Sequence, residues 1–488
     1  MRVIARCVAA FLFAPTVVLV GCGSDDGGNG PPAGEDLEVS SVHPAAGSTQ
    51  ADANSSVSVV FDRELSPATV TAAAFTIAAG GDILVSQITY NSSNHSVRID
   101  APLVPGEDYQ GSVGTTVQGI DGEQLPGEFQ WNFTTRSWQE AGLGPLNSAS
   151  GTALIADPNG TLHLLFWEAV AGPRDLLRYG SCASQCESAS NWTLVGLDTA
   201  NSGGPVAVAI GSGGEIAIAY QLSSSADLRF GLCASNCLTP AGWTLTTLGL
   251  VPGNEGYSMV GLAAESAGFH ILTGVGNGAL IELVYAGCPG SCAVAGNWSS
   301  NTADPHALGP GTLARSPDGT LHLLYNVTDN GAKLRYANCS SGCLTTANWQ
   351  HIDLGPSAGA PGLIADETGE LHGIFSRSAL VNYLHCSSSC LNANQWLSTE
   401  VDTYQASPPQ AAIAVGPAAR LHVVIASDDN NELRYATCVR ACTANASWQV
   451  KGARPGSTMR HPQVVVDDAG FIHSVFQDLG SNTMKAAE

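Results

Sequence analysis

The sequence predicts an all-β protein: a small β-sandwich followed by a seven-bladed β-propeller whose ring is closed by a strand from the N-terminal side. Three observations lead there. Between residues 37 and 135 apolar residues alternate with polar ones, as in Ser56-Val57-Ser58-Val59-Val60-Phe61 and Phe129-Gln130-Trp131-Asn132-Phe133, which is the period of a strand rather than of a helix. Beyond Cys7 and Cys22, the other cysteines form six C-x3-C pairs, each followed six residues later by a tryptophan. Histidine-bearing strand units number seven if Ala217 stands in for one histidine, so one unit lacks its cysteine pair. Composition agrees: 44% apolar residues suffice for packed cores, and 12% charged residues exclude a coiled coil. A net charge of −23 argues against a nucleic-acid partner, whose phosphates need a basic footprint.

At the N-terminus, Arg2 and Arg6 precede an apolar stretch from Cys7 to Val20 that contains Pro15. The stretch is too short for a membrane-spanning helix, which needs about 20 residues, and suits an export signal. It ends in Leu19-Val20-Gly21-Cys22, which resembles the lipobox of bacterial lipoproteins. That resemblance implies a signal peptide over 1–21, lipid attachment at Cys22 and a membrane partner reached through the lipid. Gly23, where aspartate would imply retention at the inner membrane, points to the outer membrane or cell surface. Residues 22–36 are acidic, rich in glycine and proline and without apolar anchors, as expected of a flexible tether.

Residues 37–136 have the size and strand number of an immunoglobulin-like sandwich, with turns at Pro44-Ala45-Ala46-Gly47 and Pro105-Gly106. No cysteine lies between 23 and 181, so an intersheet disulfide is excluded. Val42-His43-Pro44, Val59-Val60-Phe61-Asp62, Leu65-Ser66-Pro67, Leu103-Val104-Pro105-Gly106 with Tyr109, and Trp131-Asn132-Phe133-Thr134-Thr135 together resemble the SbsA-type bacterial Ig-like domain. The resemblance implies a spacer or adhesive module. Its usual aspartate-glycine-asparagine turn reads Asp121-Gly122-Glu123 here, a partial departure.

Residues 137–488 carry the repeat. Cys182 pairs with Cys186, Cys233 with Cys237, Cys288 with Cys292, Cys339 with Cys343, Cys386 with Cys390 and Cys438 with Cys442. Behind them stand Trp192, Trp243, Trp298, Trp349, Trp396 and Trp448. The period of about 51 residues is that of propeller blades. Upstream of each pair stands a strand such as Leu177-Arg178-Tyr179, and before it a strand bearing His163, Ala217, His270, His322, His372, His422 or His473. In the fifth unit the strands read 362–365, 371–375, 381–384 and 395–398. The chain ends after the third strand of the last unit, and the missing fourth is read at Ser137-Trp138-Gln139-Glu140-Ala141. By blade pattern this region resembles the sialidase and BNR-type propeller superfamily, and the turn Ser316-Pro317-Asp318-Gly319-Thr320 is similar to part of its Asp-box. The arginine cluster, nucleophilic tyrosine and acid aspartate of a sialidase cannot be assigned to residues here.

The cysteine pairs are either metal ligands or disulfides. A tetrahedral site needs two more ligands, and the histidine is missing at Ala217 where Cys233 and Cys237 persist, so six local disulfides are expected, with no metal. The histidines are read as hydrogen bonders between a blade edge and the backbone of its neighbour, and the tryptophans as interblade packing. Arg178, Arg229, Arg335 and Arg434 are likewise read as scaffold, and Asp428-Asp429 and Asp467-Asp468 as solvated turns. Catalysis needs one asymmetric constellation, whereas packing needs the same contact in every unit. The functional expectation is therefore a non-enzymatic, envelope-anchored binding or interaction module with a protein or glycan ligand, without catalytic residues or cofactor. The alternative is a propeller-type glycoside hydrolase or lyase using non-repeated residues such as Glu168, Glu255, Glu282 or Tyr257.

Overall fold

The computed structural model describes residues 36–145, 151–170, 174–222, 227–249, 257–277, 280–328, 331–356, 359–404, 409–427 and 431–487. Residues 1–35 lie outside these, and with them the signal peptide, Cys22 and most of the tether; so do Asp428-Asp429 and Glu255. Strands and short 3-10 turns make up the regular structure, with no α-helix among the described residues.

The N-terminal domain is a sandwich of two antiparallel sheets. One runs Val39–His43, Val57–Phe61, Ser96–Asp100, Gln87–Asn91; the other runs Asp82–Ile83, Phe75–Ala79, Asp108–Val113, Phe129–Thr134. The two-residue alternation sends Val57, Val59 and Phe61 inward to meet Phe75, Ile77, Trp131 and Phe133. Phe61 meets Phe75 edge to face at 6.1 Å. Each such buried side chain contributes about 1.5–3 kcal/mol, which is what holds a sandwich with no disulfide.

From residue 152 onward the chain forms four-stranded antiparallel sheets in chain order, numbered here as units. Units 1 and 2 span 152–200 and 203–247, and units 5 and 6 span 362–403 and 410–455. Units 3 and 4 merge into one seven-stranded sheet, because the long strand Ser299–Arg315 pairs with Leu280–Cys288 at one end and Leu321–Val327 at the other. Unit 7 consists of Met459–Val466, Ile472–Asp478 and Thr483–Ala487, and its fourth strand is Glu140–Pro145 from the other side of the repeat region.

The first strand of each unit lies against the first strand of the next, and Met459–Val466 lies against both Gln410–Val415 and Thr152–Ala156. Second strands such as Ile216–Leu222, Leu321–Val327 and Ile472–Asp478 are buried along their whole length. That pattern arises when both faces of a sheet are covered by neighbouring sheets. Apolar clusters fill the space between consecutive units. One of them joins Ala141, Leu143, Val475 and Met484 of unit 7 to Leu154, Leu164 and Trp192 of unit 1.

Strand boundaries differ from the sequence reading at the fourth strand. In unit 5 it is Leu397–Thr403, after the tryptophan, because Ala393–Gln395 forms a 3-10 turn that the backbone N–H of Trp396 closes on Ala393 O. The same shift moves the N-terminal strand from 137–141 to Glu140–Pro145, with Trp138 just ahead of it.

The sandwich contacts units 6 and 7 directly. Arg420, in a unit 6 turn, donates from Nη1 to Ala53 O at 2.8 Å, and Asn54 donates to Gly470 O in a unit 7 turn. Lys451 meets Glu107 at 2.6 Å, and Val104 joins the apolar cluster between units 6 and 7. The two domains therefore share a built interface, with only a short connection between Thr134 and Glu140.

Candidate functional site

The structure joins Cys182 to Cys186, Cys233 to Cys237, Cys288 to Cys292, Cys339 to Cys343, Cys386 to Cys390 and Cys438 to Cys442. All six are disulfides with Cα separations of 5.7–5.9 Å, within the ordinary range. The first cysteine ends the third strand. The second, which is Cys186, Cys237, Cys292, Cys343, Cys390 or Cys442, sits in the turn before the fourth strand and is not a metal ligand. The tryptophan of the same unit donates its indole Nε1–H to the carbonyl of that second cysteine, at 2.7–2.9 Å in every pair. Outside unit 1, where Trp192 joins Met484 and Ala486 of unit 7, its ring then packs on an aromatic residue from the third strand of the preceding unit. Ring centroids lie 4.9 Å apart for Trp243 on Tyr179, 5.0 Å for Trp298 on Phe230 and 5.3 Å for Trp448 on Tyr383. Trp138 does the same for unit 7, meeting Tyr435 of unit 6 at 5.7 Å. The tryptophans of the six disulfide-bearing units are buried, so their faces are not platforms for sugar rings.

The histidines make a different contact from the one expected. In units 1 and 3 to 6 their Nδ1 atoms meet a tyrosine hydroxyl on the next strand of the same sheet, not the backbone of a neighbouring blade. Distances are 2.7 Å for His163–Tyr179, His270–Tyr285 and His372–Tyr383, 2.8 Å for His322–Tyr336 and 2.6 Å for His422–Tyr435. Register explains this: His163 stands opposite Ser181, so Tyr179 is its diagonal neighbour on the same face. The other ring nitrogen faces the turn before the strand: His322 Nε2 meets Ser316 Oγ at 2.9 Å, and His473 Nε2 meets Asp467 Oδ2 at 3.1 Å. Where unit 2 has Ala217, it also has Phe230 in place of the tyrosine, so both partners are replaced together. Burial lowers the basicity of His163 and His270, takes His422 far below the ordinary range and holds His322 at about 4.

Asp467 is not a solvated turn residue as expected. It is 9% exposed, accepts the backbone N–H of Phe471 at 2.8 Å and faces His473; only Asp468 is exposed. The repeated arginines tie one unit to the next. Arg229 pairs with Asp198 of unit 1 at 2.6 Å, Arg335 with Asp304 of unit 3 at 3.0 Å, and Arg434 with Asp402 of unit 5 at 3.0 Å. Arg178 is the exception, pairing within its own sheet to Glu168 at 2.6 Å.

Of the candidates for an enzymatic reading, Glu168 and Glu282 lie in different units. Glu168 is held by Arg178 in unit 1, and Glu282 accepts from Thr302 Oγ1 at 3.3 Å in unit 3, with unit 2 between them. Tyr257 begins a strand of unit 3.

One group of chemically capable side chains departs from the repeat. In unit 5, Glu370, His372 and His385 place one donor atom each within 4.8 Å of one another. His385 Nε2 meets Glu370 Oε2 at 2.8 Å, and His372 Nε2 meets Asp366 Oδ2 at 3.4 Å. His385 stands directly opposite His372, where other units carry Ser181, Leu232, Gly287, Asn338 and Thr437. The sequence holds that signal: a single histidine directly before the first cysteine of one pair.

Residues 34–135 match the bacterial Ig-like domain family, close to the boundaries read from the sequence. No curated protein matches the chain. Among solved structures, the polysaccharide lyase Uly1 is similar at 10% identity, over 70% of this chain and 90% of that one, with a TM-score of 0.44. An ulvan lyase bound to a glucuronate–sulfated rhamnose unit gives 10% identity, 71% and 94% coverage and a TM-score of 0.47. The Aleuria aurantia lectin gives 15%, 64%, 97% and 0.43. These likenesses carry no substrate over to this chain. The N-terminal domain is thus Ig-like, the chain is all-β, and its six disulfides fit an extracellular or surface location, where such bonds persist.

Proposed function

We propose that the chain is an exported lipoprotein, anchored through Cys22 to the bacterial outer membrane or cell surface, whose repeat units close into a seven-bladed propeller that acts as a non-enzymatic recognition module for a protein or glycan. The SbsA type of the Ig-like domain and the sialidase-like ancestry of the blades belong to the same proposal. Closure is supported by the packing of Met459–Val466 on Thr152–Ala156 and by the pairing of Thr483–Ala487 with Glu140–Pro145. Trp138 supports it again by filling the place that a tryptophan takes in every other unit.

The observation that carries the functional reading is that repeated polar side chains are engaged in the scaffold. Histidines meet tyrosines, arginines meet carboxylates across units, and indoles meet cysteine carbonyls. A scaffold so committed leaves recognition to non-repeated surface positions.

The test takes the mature chain, oxidised and immobilised, to arrays of envelope and host glycans and of surface proteins. Saturable binding to one ligand class without chemical change supports the proposal. Turnover of a chromogenic glycoside, or appearance of an unsaturated uronate product, that falls to background in Glu168→Gln or Glu282→Gln would replace it with the hydrolase or lyase reading. Radiolabelled palmitate entering the wild type but not Cys22→Ala supports the anchor; equal labelling of both refutes it.

A further inference from the structure

We propose that Asp366, Glu370, His372 and His385 form a Zn2+-class divalent metal site at the turn end of unit 5. Imidazole nitrogen with carboxylate oxygen is a donor set that such an ion takes in tetrahedral geometry, with bonds of about 2.0–2.2 Å. Ligand atoms around an ion of that size stand about 3.3 Å apart, a separation set by those bond lengths. The contact between His372 Nε2 and Asp366 Oδ2 already has a separation of 3.4 Å, and that between His385 Nε2 and Glu370 Oε2 one of 2.8 Å. The two imidazole rings lie face to face with centroids 5.2 Å apart, and one donor atom from each of Glu370, His372 and His385 lies within 4.8 Å of the others.

The surroundings prepare these donors. Asp366 Oδ1 is occupied by the backbone N–H groups of Thr368 and Glu370, at 2.9 and 2.8 Å, which leaves Oδ2 for an ion. Tyr383 OH meets His372 Nδ1 at 2.7 Å, the outer hydrogen bond that fixes ring orientation and tautomer when the other nitrogen binds metal. His372 is buried, while Glu370 and His385 are partly exposed, so an ion has a path in from solvent.

The repeat supplies its own comparison. Unit 4 keeps the histidine and tyrosine as His322 and Tyr336 but has Ser316 for the aspartate, Thr320 for the glutamate and Asn338 for the second histidine. Asp366 has counterparts facing the same histidine in Asp157 of unit 1 and Asp467 of unit 7, whereas among the described residues only unit 5 sets a second histidine, His385, opposite the first. Four protein ligands make a closed site, which would pin the turn of residues 366–370 to the strand Leu380–Cys386.

The experiment titrates ZnCl2 alone into metal-free, untagged full-length protein by calorimetry. One Zn2+ per chain is expected to bind with micromolar or tighter affinity. His385→Asn, which installs the residue that unit 4 carries at that position, should weaken binding at least about 10-fold with an unchanged far-ultraviolet spectrum, and Tyr383→Phe should weaken it about 10-fold. His351→Ala, on an exposed strand position of unit 4, should bind as the wild type does. X-ray absorption on the loaded protein should show nitrogen and oxygen neighbours without sulfur. Absence of one-equivalent uptake, affinity unchanged in both His385→Asn and Glu370→Gln, or sulfur in the coordination shell would overturn the proposal.

Discussion

Replacing Arg335 tests whether the repeated arginines hold adjacent units together. Its side chain is 5% exposed, with Nη1 3.0 Å from Asp304 of unit 3 and Nε 2.7 Å from Asp353 of its own unit. Asp353 is 31% exposed and keeps Lys333 at 2.8 Å, so it loses little in Arg335→Met. Asp304 is also 5% exposed and retains the neutral donors Tyr325 OH and the His306 N–H, both at 2.8 Å, with the half-exposed His306 ring 3.6 Å away. An uncompensated buried carboxylate of that kind destabilises by about 3–5 kcal/mol. Arg178→Met is the contrast, because that side chain is 27% exposed and its partner lies in the same unit; about 1 kcal/mol is expected. Urea unfolding followed by tryptophan fluorescence reads both, as a fall in midpoint at unchanged slope. The double variant Asp304→Asn/Arg335→Met, which removes both charges, should recover part of the loss. Equal, small losses for Arg335→Met and Arg178→Met would refute the role of the arginines between units.

Acid should weaken the fold between pH 6.5 and about 4. His322, facing Tyr336, Ser316 and Asp318, has its folded value held at about 4 by burial, below the unfolded 6.5. The unfolded chain then binds the proton first, so stability is full above pH 6.5, falls as pH drops, and levels off below about 4 for this group. Unfolding midpoints measured across that range should show the slope in wild type and a shallower one in His322→Ala/Tyr336→Phe, which copies unit 2. Replacing Cys339 and Cys343 together by alanine should cost about 2 kcal/mol, because the bond closes a short loop, and reducing any one pair should leave the fold intact. Arg420→Ala leaves Ala53 O without its buried donor and should cost about 1–3 kcal/mol. In calorimetry the sandwich should then unfold ahead of the repeat region, whereas a single unchanged transition would show that the interface holds without it.

Much of this architecture is legible in the sequence because it is periodic. The cysteine–tryptophan spacing recurs in six units, and each copy corroborates the others, so strand order and disulfide partners follow from position alone. The histidine partner is not legible, since it depends on which residue lies diagonally across a strand pair. That register emerges only once Leu162–Ala169 and Asp175–Cys182 are aligned. The joint replacement of His and Tyr by Ala217 and Phe230 encodes the contact, but reading it requires knowing that the two positions touch. Trp138 reads as part of a strand that in fact starts at Glu140, because the turn closed by the tryptophan N–H in the other units has no signature beyond the tryptophan itself. The unit 5 cluster joins residues 366, 370, 372 and 385, and only the hairpin geometry brings the last of them to the others.

The central claim is that a strand from before the repeats closes the propeller. Gly142 stands opposite Lys485 in the pairing of Glu140–Pro145 with Thr483–Ala487, and a Cβ at Gly142 would come no closer than 3.3 Å to the Thr483 side chain. Gly142→Cys/Lys485→Cys, purified as a monomer and mapped by mass spectrometry after digestion, measures that pairing directly. A seventh disulfide joining residues 142 and 485 within one chain is the predicted result. Two free thiols, or a 142–485 link found only between chains, would contradict closure by this strand.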